Sequence, residues 1–253
     1  MSAGPPPPAE APGVEVMSTL ALMGVLRELA PGYERATGSR IAAAFAPTAA
    51  LLERIGAGEA ADVAILTAAA IDELTRDGVL APGGRVDLAR SVVGVAVRAG
   101  APKPNIGSPE AFARALLDAR SVAYSGAGAS GIFFAGLIRR LGIDDEVNAK
   151  ATVIPSGLTG ELAARGEAEI AVQQVSELME VPGIDIVGAL PAELGGATVF
   201  SGAPFAASSR KAAGAALLRF LSSPDTVPIY RRKGLEPLGG AEPAVRAGPA
   251  EGR

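Results

Sequence analysis

The sequence predicts an α/β protein of two lobes with a ligand cleft between them, and three observations carry that prediction. Short apolar runs alternate with segments of helical periodicity, the pattern of a sheet of parallel strands covered on both faces. The alternation occurs twice, the second time from Val92 onward. Small polar residues follow almost every strand, at the position where open α/β sheets bind ligands. With 253 residues, 49% hydrophobic and 20% charged, the chain has the composition of one large domain or two small lobes, not of a disordered protein.

Residues 14–17 read as a short apolar strand. Residues 20–36 place apolar side chains at 22, 25, 26, 29 and 33, one face of an amphipathic helix that Thr37-Gly38 ends. Residues 41–45 read as a second strand, 48–55 as a second helix, 61–66 as a buried third strand and 68–76 as a third helix. A new run opens at 92–97, and Ser108-Pro109-Glu110 starts a helix with a serine cap and a proline in its first turn. Residues 121–124 read as a strand and 131–141 as an apolar helix; Val153-Ile154, a helix over 158–165 and a strand over 170–172 repeat the alternation. Residues 199–207 carry the chain back, and helices over 211–221 and 224–232 close it. Residues 1–13, with four consecutive prolines, read as a disordered leader, and 239–253 as a disordered tail. The leader lacks the basic start and apolar region of a secretory signal, so the chain reads as cytoplasmic as written and periplasmic if a signal was removed. No apolar run reaches the length of about 18 residues needed to span a bilayer, so no membrane insertion is expected.

Composition narrows the chemistry. Lys and Arg total 23 against 27 Asp and Glu, a net charge of -4, which argues against nucleic acid as a partner. The absence of cysteine and histidine removes disulfides, thiol nucleophiles, imidazole bases and His-ligated metals. No carboxylate pair has the spacing of a metal or glycosidase site, so neither a metal nor a cofactor is expected.

The residues after the strands are Ser18-Thr19, Pro47-Thr48, Thr67, the stretch 125–131, Ser156-Gly157 and Gln173-Gln174. Hydroxyls, amides and glycines at helix N-termini hydrogen-bond a small anion without a full countercharge, although each Ser or Thr alone also fits an ordinary helix cap. Gly126, Gly128 and Gly131 match G-x-G-x-x-G, a dinucleotide signature that also requires an acidic residue at the end of the next strand. Asp144-Asp145 has roughly that spacing but reads as a turn entering a helix, which favours an anion cradle with Ser130 beside it. Tyr124 could donate to a ligand or be a satisfied core tyrosine; Asp62 reads as structural, and Glu161, Glu167 and Glu169 as surface. Arg139-Arg140 and Arg231-Arg232-Lys233 read as solvated helix ends.

Residues 26–31 (LRELAP) with Tyr33-Glu34 and Thr37-Gly38, then 45–48 (FAPT) ahead of 51–55 (LLERI), then 58–63 (GEAADV) resemble the N-terminal lobe of molybdate-binding proteins. These are type 2 periplasmic binding proteins of ABC importers. Residues 130–133 (SGIF), 166–172 (GEAEIAV) and 220–224 (FLSSP) continue the resemblance, which covers about 14–236. It implies a first lobe of 14–94 plus 198–238 and a second of 95–197, closing on a small anion that an ABC permease would accept. Ligand contacts carry over to Ser18 or Thr19, Thr48, Thr67, Ser130 and Gln174; Gly131, Ser156 and Gln173 complete the candidate set. The family usually has a tyrosine where Gln173-Gln174 stands, and amides suit an organic carboxylate as well as a tetrahedral oxyanion. Aconitate isomerase is similar to the same family, so the resemblance also admits an isomerase of a small unsaturated di- or tricarboxylate, with Tyr124 as the candidate catalytic group. The effector modules of LysR-type regulators have a similar fold, and a ligand sensor is the third possibility that the resemblance leaves.

Overall fold

The computed structural model describes residues 13–239, so the expected leader and tail lie almost wholly outside the described residues. The strands are β1 (Gly13–Ser18), β2 (Arg40–Phe45), β3 (Val63–Thr67), β4 (Val86–Arg98), β5 (Val122–Ser125), β6 (Ala151–Ile154), β7 (Ile170–Gln174), β8 (Ile184–Ala189), β9 (Ala197–Pro204) and β10 (Glu236–Pro237). The helices are α1 (Met23–Thr37), α2 (Thr48–Gly56), α3 (Ala68–Arg76), α4 (Pro109–Asp118), α5 (Ala129–Arg140), α6 (Asp144–Asn148), α7 (Thr159–Ala164), α8 (Val175–Leu178), α9 (Lys211–Leu221) and α10 (Val227–Arg232).

The strands join in the order β2-β1-β3-β9-β4-β7-β5-β6, with β8 and β10 also pairing β4. Pairing is parallel within β2-β1-β3 and within β7-β5-β6. It is antiparallel where β9 meets β3 and β4 and where β4 meets β7 and β8, so the sheet is mixed and not the parallel one expected. The reason is topological: the strand that leaves the first half and the one that returns to it run in opposite senses, and apolar periodicity carries no information on direction. β4 makes the crossing, pairing β9 over 86–92 and β7 or β8 over 93–98.

β3, β5 and β7 are buried on both faces, which is why they stand out as apolar runs, whereas the edge strands β2 and β6 keep exposed residues. In the first half Val14 and Val16 pack with Val25, Leu26, Leu217 and Tyr230 on one face, while Met17 packs with Leu51, Ile71 and Phe205 on the other. In the second half Ile170 and Val172 join Phe112 and Phe134, and Ala171 between them turns to Ala163 and Leu178. α1 buries Val25, Leu26, Leu29 and Tyr33 and stops at Gly38, whose φ of 70° is left-handed backbone that glycine adopts without strain. Asp62 is structural, as read: its carboxylate accepts from the Glu15 N–H (3.0 Å) and the Ser208 hydroxyl (2.7 Å).

Three elements have no counterpart in the sequence reading, among them the two-residue β10. α8 is a single turn, too short for periodicity to register, and β8 carries Asp185 and Gly188 within its run. One basic cluster also differs from expectation: Lys233 lies between Glu180 (2.9 Å) and Glu28 (3.7 Å), and Arg232 bonds Glu28. Arg231 and Arg232 are exposed as expected, and it is Lys233 that is drawn in, tying α1, α10 and the residues after α8 together.

Candidate functional site

The two halves meet along an apolar seam of Leu20, Met23 and Phe45 against Leu158, Val181 and Ile184. Above it the Ala49 N–H donates to the Ala127 carbonyl (3.4 Å), joining the start of α2 to the loop before α5. Beneath that contact lies a cavity lined by Thr19, Leu20, Pro47, Thr48, Ser125, Gly128, Ala129, Gln173, Glu177 and Phe200. Its free space of about 10 Å³ is the room of one water, so the halves lie close against each other there. Two larger grooves, of 330 and 360 Å³, lie along the edge of the second half and share Glu169; they mix Lys103 and Arg114 with Asp118, and Arg98 and Arg120 with Glu169. Neither gathers the residues that follow the parallel strands, so the small cavity between the halves, which does, is the candidate site.

Helix capping separates structural hydroxyls from available ones. α3 and α4 are capped by their own side chains, Thr67 accepting from the Ala70 N–H (3.4 Å) and Ser108 from the Ala111 N–H (3.1 Å). α2 and α5, whose first turns border the cavity, have Pro47 and Gly128 at their N-caps and no side-chain cap. Their positive dipole ends are therefore directed at the cavity, the arrangement that favours an anion. Thr19 adds a hydroxyl that is 3% exposed with no hydrogen-bond partner, a donor in want of an acceptor.

Of the residues singled out from sequence, the cavity gathers Thr19, Thr48 and Gln173. Ser18 lies just beneath, its hydroxyl donating to the Thr19 carbonyl (3.1 Å), and Gln174 turns toward Thr198 (3.4 Å) with its own amide oxygen unpartnered. Ser130 is buried in the first turn of α5. Gly131 serves packing: a Cβ there would sit 1.5 Å from the Ser125 carbonyl oxygen. Gly126 and Gly128 hold the same turn, through the Gly126 N–H to Ile154 (2.8 Å) and the Gly128 N–H to the Ser125 hydroxyl (2.9 Å). With Asp144 and Asp145 inside α6, the G-x-G-x-x-G match is local turn geometry. Thr67 is a cap and Ser156 is exposed; neither lines the cavity. Tyr124 is a core residue, stacked on Phe134 with its hydroxyl donating to Asn148 (2.7 Å).

Glu177, which sequence reasoning did not weigh, is the one ionisable side chain lining the cavity among the described residues. It sits in the single turn of α8 and is 7% exposed. Burial pushes its pKa up to about 8, although the Gln173 side chain and the Gln174 backbone N–H approach its carboxyl; among the described residues no cation does. Gln173 is itself oriented: its oxygen accepts from the Thr159 N–H (2.7 Å) and hydroxyl (3.0 Å), which leaves the NH₂ side, also bound to the Gly157 carbonyl (3.1 Å), for Glu177. A polar turn directly after the strand at 170–172 was the available signal; carrying it three residues further would have reached Glu177.

Chemically, the cavity offers uncharged donors, two helix N-termini and one neutral acid, a set that holds a small anion and can exchange a proton with it. Among solved structures, the Azotobacter vinelandii periplasmic molybdate-binding protein is similar at 19% identity with a TM-score of 0.74, covering 88% of this chain and 98% of that one. The sulfate-binding protein of Mycobacterium tuberculosis is similar at 16% identity and a TM-score of 0.70, with coverage of 90% and 87%. At such identities the likeness establishes the two-lobed binding-protein fold. An aconitate isomerase from Pseudomonas sp is 42% identical over 229 residues, 88% of this chain and 87% of the isomerase. A family model for bacterial extracellular solute-binding proteins matches residues 14–236, and the chain belongs to that family.

Proposed function

We propose that this protein is a cofactor-independent isomerase of a small unsaturated di- or tricarboxylate. Its two halves act as lobes that part about β4 and β9, admit the substrate and close over it. The extended likeness to the Pseudomonas isomerase carries the reading, because it is far stronger than the likeness to any of the oxyanion binders above. The cavity supports it. The Thr19 hydroxyl and the N-termini of α2 and α5 are placed for carboxylate oxygens, and Thr48 and Ser125 stand beside them.

A second reading follows from the family itself: capture of a small anion and its delivery to an ABC permease. One experiment separates the two. Purified protein is incubated with cis-aconitate and the vinyl proton is followed by NMR. Appearance of the trans isomer supports the isomerase; binding without conversion leaves the carrier.

A further inference from the structure

We infer that Glu177 is the catalytic residue of the cleft, its carboxyl carrying a proton from one carbon of the bound unsaturated carboxylate to another. This assignment rests on the isomerase reading and deepens it. Glu177 lines the cavity, and the polar and aromatic groups that share its wall are Thr19 before α1, Thr48 on α2, Ser125 at the end of β5, Gln173 on β7 and Phe200 on β9. None of them is charged. From β4, Ser91 lies against Ser176 (3.3 Å), and the charges near the end of α8 pair among themselves as Glu180, Lys233 and Glu28. Other carboxylates of the molecule that carry a resolved shift, such as Glu28, Asp87 and Glu169, are paired with arginine and held low. Glu177 is pushed the other way, so it holds its proton near neutrality and can both give and take it.

The competing role is a capping one. Glu177 is the third residue of α8, and its carboxyl meets the backbone N–H of Gln174 at the N-cap, the reciprocal half of a capping box. Glutamine serves that position as well as glutamate. A cap also needs no access to the cleft, and Glu177 has it.

The step balances without a co-reactant. Ionised Glu177 removes a proton from the methylene carbon beside the double bond. That C–H electron pair spreads over three carbons and onto a conjugated carboxylate, whose oxygens face the Thr19 hydroxyl and the N-termini of α2 and α5. The carboxylic acid then returns a proton to the far carbon. One C–H bond breaks, one forms, the double bond moves by one position, and Glu177 ends as it began.

The test compares wild type with Glu177→Gln, using cis-aconitate as reactant and saturated propane-1,2,3-tricarboxylate as an inert ligand. The variant should bind the inert ligand within about threefold of wild type yet lose at least about 100-fold in turnover, with solvent deuterium no longer entering the substrate. In wild type, kcat/KM should rise with pH and level off above about 8. Calorimetric affinity for the inert ligand should fall over the same range, because an ionised Glu177 repels it, and should stay flat in the variant. A variant as active as wild type overturns the assignment alone. A wild type that binds and converts nothing overturns the isomerase reading, and the assignment with it. If the variant does not fold, the wild-type profile decides: a rise confined to the ordinary carboxylate range contradicts Glu177.

Discussion

On the β1–β3 side, the cleft is built from Thr19, Pro47 and Thr48 where parallel strands give way to helices, and nothing there titrates. On the β5–β7 side, Ser125 and Gly128 repeat that construction, but Gln173 and Glu177 add a polar chain that runs back through Thr159 into the interior. The first half offers donors alone; the second offers donors and an acid. The contrast teaches that two halves of similar design need not contribute alike. One turn of helix after β7 is enough to put a carboxyl into a cavity whose other lining residues are uncharged.

The largest effect that would sharpen this contrast is a pH dependence of stability confined to the second half. Glu177 has its pKa raised from the usual 4.5 to about 8, so the folded protein holds that proton more tightly than the unfolded chain. The stabilisation is complete below about 4.5 and is lost as pH rises through about 8, with a ceiling of roughly 5 kcal/mol. Denaturant unfolding of wild type and Glu177→Gln across that range should show the gap widening in favour of the variant, then levelling. A constant gap would mean that Glu177 is ordinarily hydrated.

Next in size is Gly131→Ala. A methyl group 1.5 Å from the Ser125 carbonyl oxygen must push α5 off β5, at a cost of about 3 kcal/mol in urea unfolding, and it should take anion binding with it. Smaller and more telling is a pair of isosteric changes. Thr19→Val removes a buried hydroxyl that has no partner, so stability should hold or rise by about 1 kcal/mol while affinity for a tricarboxylate drops about tenfold. Thr159→Val removes the hydroxyl bond to the Gln173 oxygen (3.0 Å), while the backbone N–H bond stays, and should lose about 1–2 kcal/mol of stability. Equal stability losses in both variants would erase the distinction between a donor held for ligand and one already used. Smallest is Lys233→Ala, which removes a partly exposed pair to Glu180 and should cost at most about 1 kcal/mol by thermal unfolding.

Sequence disclosed the layering and part of the candidate site for identifiable reasons. Strands buried on both faces leave unbroken apolar runs, and the stripe of Val25, Leu26, Leu29 and Tyr33 marks α1 directly. The rule that ligands sit beyond strand ends led to Thr19, Thr48 and Gln173. It could not separate them from Thr67, which satisfies the same rule and spends its hydroxyl on its own helix. Strand direction and the crossing at β4 depend on contacts between residues far apart in the chain, as does Lys233 reaching Glu180. Glu177 escaped because its importance lies in what does not face it: a carboxyl is ordinary in sequence and becomes unusual only when the neighbouring elements bring no charge to it.

The measurement that bears most directly on the proposed carboxylate site is calorimetric titration of the full chain with propane-1,2,3-tricarboxylate, molybdate and sulfate in one buffer below pH 8. The predicted result is saturable one-site binding of the tricarboxylate, weakened about tenfold by Thr19→Val, and no heat from either tetrahedral anion. Tight binding of molybdate or sulfate with none of the tricarboxylate would contradict it.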